Sequence, residues 1–530
     1  MIMSAIEKYD ANNVYYPMDV NNCTNLAGIQ ILSVDDTVYK TKLDWGDGVT
    51  SNNSNTTSHT YSSLINKRLK IYNNPKKVKS LRFNLGVSGY SATNPTGTII
   101  NLELNPSILD YFPNAESLYF SHYCYANSDP AYQGKVIGEW AVKCGSKLKS
   151  LELLSCDYPS SNPLFNLDLI PSDSILEVLS LGGRYPAPST RVTVSGNLNK
   201  IPPTCKVIDL GDDRASTVNS ITGTIPSWVE EFSRTGRNTI SGNVADLSPN
   251  LRYLLVQGSN TLKGILPVLK FVTYINVTGN NEIEGSLSSL GSSSVITVFI
   301  DGLNDISGSI PNFTECTTLT IRGFNRLSGS IPVLSKLLTL NIGGNNSLTD
   351  NVNLPNATSV TIAGNNTVTS LNLPKSNTVN ISGQNALTGN LYTQISPNTS
   401  TILIAGRNTI STISGVFSNA VQVNIGGLNS LDGDVLDKFP NAPNIQIGGN
   451  NKMTYSSKTF PSTMLGIQLT GNAALDSTMV DRLLIDLNTY VTTWNGSKTI
   501  VIKGNSQPPG PLGLAAIESL IGKHVSISTN

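Results

Sequence analysis

The chain has 530 residues, too many for one ordinary globular core, so it is either several domains or one elongated repeat array. Lys+Arg and Asp+Glu both number 36 and charged residues make up only 14 %, which leaves no basic field for nucleic acid and no acidic tail. The polar character comes from Asn, Ser, Thr and Gly, which suit tight turns and uncharged surfaces better than long helices.

Residues 1–14 form a short N-terminal segment. Met1 to Val20 carries Glu7, Lys8, Asp10 and Asp19 without an apolar stretch of signal-peptide length. No segment approaches the roughly 18 consecutive apolar residues of a membrane span. As written, with Met1-Ile-Met3 at its head, the chain is expected to stay in the cytoplasm or to leave by assembly into a particle, without membrane insertion. Six cysteines (Cys23, Cys124, Cys144, Cys156, Cys205, Cys316) lie far apart with no CxxC pair and read as free, mostly buried thiols.

Residues 15–76 contain Leu43-Asp44-Trp45-Gly46-Asp47-Gly48, then His59-Thr60-Tyr61, then Arg68 to Tyr72 at strand-like spacing. Trp45 reads as a core aromatic, Gly46-Asp47-Gly48 as a hairpin turn and Tyr61 as the start of a return strand. The WGDG turn and later HTY resemble the PKD domain, which implies a small β-sandwich here.

Residues 77–235 repeat one strand signature at long intervals: Leu81-Arg-Phe83, Leu118-Tyr-Phe120, Leu151-Glu-Leu153, Leu179-Ser-Leu181 and Ile208-Asp-Leu210. These are expected to be irregular coils with decorated loops, including a short helix around Val136 to Cys144 that carries Trp140.

Residues 236–475 are strictly periodic. Glycines 236, 258, 279, 302, 323, 344, 364, 383, 406, 427, 449 and 471 recur every 19 to 23 residues, and all but the last have Asn two positions later. From Gly258 onward apolar residues stand four and two before each of these glycines, and from Ile240 to Leu475 another stands four after. Apolar residues two apart, mostly β-branched, give one short strand per coil with one face inward. The glycine turns the backbone out of the strand, and each coil can bury its apolar face only against its neighbours. The asparagine column is expected to hydrogen-bond backbone groups of adjacent coils rather than a ligand. Asn304-Asp-Ile306-Ser-Gly308-Ser-Ile310-Pro311 and Asn325-Arg-Leu327-Ser-Gly329-Ser-Ile331-Pro332 resemble the NxLxGxIP segment of leucine-rich repeats. Asn falls one residue later than in the LxLxxN pattern, so a generic parallel β-helix stays open as the coil shape.

Residues 476–530 read as an αβαβ cap: a helix through Leu483, Leu484 and Leu487, a strand at Thr499 to Lys503, a Pro/Gly loop, a helix near Leu514 to Ile521 and a strand at Val525 to Ser528. This tail resembles the closing segment of leucine-rich-repeat proteins of Bacteroidetes bacteria and their phages. The fold class is therefore mainly β: a leucine-rich-repeat-like or parallel β-solenoid with an N-terminal PKD-like β-sandwich and a C-terminal αβ cap.

No catalytic constellation emerges. His59, His122 and His524 lie in separate regions, His122-Tyr-Cys124 lacks further ligands, and Asp44 and Asp47 supply too few oxygens for calcium. Glu230-Glu231 and Asp212-Asp213 are neighbours in sequence, not carboxylates facing across a cleft. No cofactor, metal or catalytic residue is expected, and the chain is read as a non-enzyme. What remains is the outward strand stripe, including Asn276, Thr278, Phe299, Asp301, Thr320, Arg322, Asn341 and Thr361. Its candidate binding residues are Phe299, Arg322, Asn276, Asp301 and Asn341, with Phe299 and Arg322 as the anchor pair. The resemblances imply a bacteriophage virion protein, a tail or head appendage used for structure or host-receptor binding; the alternative is a bacterial cell-surface adhesin or glycan/protein-binding leucine-rich-repeat protein. Expected partners are other virion proteins or a host-surface glycan or protein, with homo-oligomer formation a further option.

Overall fold

The computed structural model describes residues 14–33, 41–44, 48–53, 57–73, 78–84, 101–102, 108–123, 140–156, 164–181, 193–213, 220–291, 293–462, 464–471, 475–491 and 498–530. The chain divides into two compact units: Met1–Lys263 with Asn276–Asn280, and Gly264–Ile275 with Asn281–Asn530.

The first unit opens with antiparallel strands. Val14–Ser33 pairs with Thr57–Asn73, and Thr41–Asp44 forms a hairpin with Thr50–Asn53 while also pairing with Thr57–Asn73. Gly48, just before the second strand of this hairpin, has φ 91, whereas Gly46 and Asp47 of the expected turn fall outside the described residues. His59 and Thr60 lie on the return strand, whereas Trp45 falls outside the described residues. The far end of Val14–Ser33 pairs antiparallel with Val78–Asn84, where parallel pairing begins.

From that strand the unit is a parallel solenoid. Leu81, Leu118, Leu151, Leu179, Ile208, Phe232 and Leu254 stand in register on successive strands. All seven are buried, so the long spacings of this region lie in the connections and not in the sheet. Trp140, at the start of a helical turn, is fully buried. Arg234 occupies an inward position, in register with Val256; it is fully buried and its guanidinium donates to the Leu210 carbonyl at 2.6 Å.

The second unit repeats the strand at shorter intervals. Val298, Leu319, Leu340, Val360, Val379, Ile402, Val423, Ile445 and Ile467 are in parallel register, and the apolar residue two positions on follows the same column, from Ile300 to Leu469. Both columns are buried. Taking such a side chain out of water stabilises the coil by about 1.5–3 kcal/mol. Away from the sheet the described residues of the regular coils contain no α-helix, only short strands and 3₁₀ turns such as Leu287–Ser289 and Leu391–Thr393.

The asparagine column is the second adhesive of the array, because each side chain joins two neighbouring coils. Asn325 accepts from the Ile306 N–H at 3.1 Å in the coil before it and donates to the Gly343 carbonyl at 3.2 Å in the coil after it. The pattern recurs through Asn346, Asn366, Asn385, Asn408 and Asn429, all fully buried. The extra residue before each asparagine does not prevent this ladder. It is absorbed at the repeat glycine: Gly344 sits at φ 109, and a Cβ there would run into the backbone nitrogen and oxygen of Asn325.

The cap follows the expected order. Helix Ser477–Tyr490, with its N-terminus capped by Asp476, precedes strand Lys498–Lys503, helix Pro511–Gly522 and strand Val525–Thr529. Both strands continue the parallel register from Gly466–Thr470. Asn530 closes the array on one side only, accepting from the Gly504 N–H at 3.1 Å and donating to the Gly504 carbonyl at 2.6 Å.

Candidate functional site

With the apolar residues of each strand turned inward, the alternate residues form an outward face of parallel columns. One column reads Thr297, Thr318, Thr339, Ser359, Thr378 and Thr401, a row of hydroxyls. The next reads Phe299, Thr320, Asn341, Thr361, Asn380, Leu403, Asn424, Gln446 and Gln468. The third is small beyond its first two members: Gly343, Ala363, Ser382, Ala405, Gly426 and Gly448 occupy the positions after Asp301 and Arg322.

Large side chains gather on the first coils of this face. The Arg322 guanidinium carbon lies 5.8 Å from the centroid of the Phe299 ring, a cation–π arrangement. One Arg322 nitrogen stands 3.7 Å from an Asp301 oxygen, and the other Asp301 oxygen accepts from the Gly302 N–H at 3.1 Å. Asn341 stands two coils from Phe299 in the same column. Phe299, Asp301, Arg322 and Asn341 are thus brought together on one face of the second unit. Asn276 belongs to the first unit and is half-buried on its own strand. Thr320, expected in the exposed stripe, is buried at 3 %, because it lies between the larger Phe299 and Asn341.

Two neighbours escaped the sequence reading. Leu303 and Phe324 each follow a repeat glycine and are 53 % and 60 % exposed. Later coils place Asn345, Asn365, Gln384, Arg407 and Asn450 at that position, with Leu428 a further exposed apolar residue, so the available signal was an apolar residue in a mostly polar column.

No group of His, Cys, Asp and Glu among the described residues is arranged to hold a metal ion, and no described helix is long and apolar enough to cross a membrane. Cys144, Cys205 and Cys316 are free and buried; burial pushes the Cys205 thiol up to about 12 and the Cys316 thiol to about 11. Cys124 lies outside the described residues. The buried asparagines are engaged by the backbone at both ends and have no face for a ligand. A further polar cluster near the cap is structural in geometry: the buried Asp486 carboxylate accepts from Tyr455 Oη at 2.7 Å, Ser457 Oγ at 2.9 Å and the Lys458 N–H at 3.1 Å.

These features define a leucine-rich-repeat-like parallel β-solenoid. No family model matches the chain, and no curated protein matches it. Among solved structures it is similar to a plant peptide hormone receptor, RGFR1 in complex with RGF2, at 18 % identity, covering 80 % of this chain and 73 % of that one with a TM-score of 0.45. It is also similar to the Arabidopsis receptor kinase HAESA ectodomain in complex with an N-terminally extended IDA peptide hormone, at 16 % identity, covering 84 % and 77 % with a TM-score of 0.41.

Proposed function

We propose that the protein is a non-enzymatic binding protein that engages a macromolecular partner with the outward sheet face of its second unit, in the manner of a surface adhesin. The supporting observation is the stack of Arg322 on Phe299, two anchor-type side chains from consecutive coils on an otherwise small and uncharged face. Adjacent strands lie about 4.8 Å apart, so the two groups fall within one contact patch. Asn341 and the amides of later coils orient a partner through hydrogen bonds, and Asp301 fixes the arginine. The reading needs only a binding face, so it holds for a bacterial cell surface and equally for a phage tail or head appendage.

The test is adsorption to candidate host cells, or pull-down of a surface extract, with Phe299→Ala/Arg322→Ala beside a Thr361→Ala control. The double variant should bind about tenfold more weakly with its fold intact, and the control should bind as the parent does. Equal binding by all three proteins would remove the face from consideration and direct attention to the connections of residues 77–235.

A further inference from the structure

The last coil ends in an uncovered strand edge and an apolar helix flank. A solenoid that finishes against water closes with a polar outer face, and exposed sheet edges are blunted by charge, proline or a bulge. Strand Val525–Thr529 pairs in parallel with Lys498–Lys503 through one edge, and no strand among the described residues pairs with the other. Its five residues include no charge and no proline. The apolar column that it continues is fully buried at Ile467 and Ile500 but only half-buried at Ile527.

The helix before this strand presents apolar groups in the same direction. Within Pro511–Gly522, Gly513, Ala516 and Leu520 are buried. Ser519 Oγ donates to Asn488 Oδ1 at 3.0 Å, and Lys523 Nζ, just past the helix, donates to the Asn488 carbonyl at 2.7 Å, so that flank lies against helix Ser477–Tyr490. Ile517 and Ile521 each stand two residues from Ser519, about 200° round the helix, and Leu514 lies close to one turn before Ile517. This opposite flank therefore points off the end of the stack, with Leu514 52 % and Ile521 57 % exposed. The open edge and the apolar stripe share one terminal face.

We propose that this face pairs with its counterpart on a second copy of the chain about a two-fold axis, with the two Val525–Thr529 strands antiparallel. The choice of occupant follows from how the first strand of the parallel series is closed. That strand, Val78–Asn84, pairs in parallel on one edge and is covered on the other by the antiparallel Val14–Ser33. The last strand receives the same kind of cover from a second copy, because two identical strands across a two-fold axis are antiparallel by symmetry, and the contact closes after two copies. With Ile527 at the axis, Val525 falls opposite Thr529 of the other copy, so inward residues meet inward residues and the uncharged strands bring no like charges together. The stripes of Leu514, Ile517 and Ile521 then face one another beside the joined strands. The pairing is independent of the binding face proposed above.

The test measures the mass of the full chain by light scattering and analytical ultracentrifugation over a series of concentrations. The parent should be a dimer that dissociates on dilution. Leu514→Lys with Ile521→Lys brings lysines of both copies together and should weaken the dimer about a hundredfold or more. Leu512→Lys, at a 67 % exposed position on the Ser519 flank of the same helix, should leave it unchanged. Far-UV circular dichroism checks that these exposed substitutions leave the fold intact. Register is read by disulfide formation: in an equimolar mixture of Ser526→Cys and mass-tagged Ser528→Cys chains, each should cross-link to the other in preference to itself. A parent that stays monomeric across the series would overturn the second copy as occupant, and so would a dimer untouched by Leu514→Lys with Ile521→Lys. Growth beyond the dimer would overturn the two-fold closure. Preferential cross-linking of Ser526→Cys with itself would move the axis off Ile527 and overturn the register.

Discussion

The side-chain carbonyl of Asn346 accepts a hydrogen bond from the backbone N–H of Leu327 at 3.0 Å, one coil earlier. The Asn346 amide group donates to the carbonyls of Gly343 at 2.9 Å and Ala363 at 3.0 Å, so this fully buried side chain ties three coils together. Asn346→Ala removes all three bonds at a site closed to water and should cost about 2–4 kcal/mol of stability. Urea unfolding measures the loss; a change well below 1 kcal/mol would mean that water or a neighbour replaces the side chain.

Gly344 and Gly329 both have positive φ, at 109 and 81, but only Gly344 faces backbone, since a Cβ at Gly329 meets nothing. Gly329→Ala should therefore cost only the dihedral strain of about 1–2 kcal/mol. Gly344→Ala must in addition push Asn325 and its rung of the ladder aside, and should unfold the array at a clearly lower temperature. Equal melting temperatures for the two variants would contradict this account.

Asp350 holds φ 66 at the position where the coils around it place Gly308, Gly329 and Gly389. The side chain makes only an exposed bond with Thr349 Oγ1 at 2.8 Å, which offsets little of the strain. Asp350→Gly is thus expected to stabilise the protein by about 0.5–1 kcal/mol, one of the few glycine substitutions that should raise the melting temperature.

At the cap, Asp486→Ala strips the acceptor from Tyr455 Oη, Ser457 Oγ and the Lys458 N–H together. The same loop is held from the other side by Asp434, which accepts from the Ser456 N–H and hydroxyl at 2.8 Å each. The loss should be local: faster hydrogen exchange in helix Ser477–Tyr490 and in residues 454–458, with the coils around Asn346 unchanged. Uniform acceleration across the second unit would show that the cap and the array open as one.

The buried thiols give the stability a dependence on alkaline pH. Cys205 and Cys316 have an ordinary value of 9.0, and burial raises them to about 12 and about 11 in the folded chain. The folded state therefore holds the proton more tightly, so the contribution is complete below pH 9 and is lost as pH rises through those higher values. A Cys205→Ala/Cys316→Ala variant should show a shallower decline in unfolding midpoint above pH 9 than the parent. In the parent, thiol reagents at pH 8 should label these cysteines only on unfolding.

The solenoid was legible because its signal is periodic. Leu340 and Ile342, two apart on each strand, and Gly344 with Asn346 recur at nearly constant spacing, and any fold that buries such columns must stack them. The cap was legible for a different reason, as Leu483, Leu484 and Leu487 have helical spacing and Ile500 and Ile502 strand spacing. The ladder geometry was harder to foresee, since whether Asn325 reaches Ile306 depends on how far Gly323, at φ 123, swings the chain. Contacts such as Tyr455 with Asp486 belong to no period and join residues 31 apart in sequence, so pattern alone gave no hint of them. On the candidate face, Phe299 and Arg322 stood out by size in a column of small residues; the open geometry of Arg322 with Asp301 depends on distances that spacing does not encode.

The Gly-x-Asn step also separates two properties that most folds couple, the length of a segment and the position of what it displays. Successive repeat glycines are 19 to 23 residues apart, yet the strands they follow remain in unbroken register. Insertions and deletions are accommodated in the turns, while the outward columns keep a fixed pitch of about 4.8 Å per coil. Such a chain can gain or lose whole coils, or vary its turns freely, and still present the same ruled surface, on which a new recognition pattern needs only a change of side chain at a marked line.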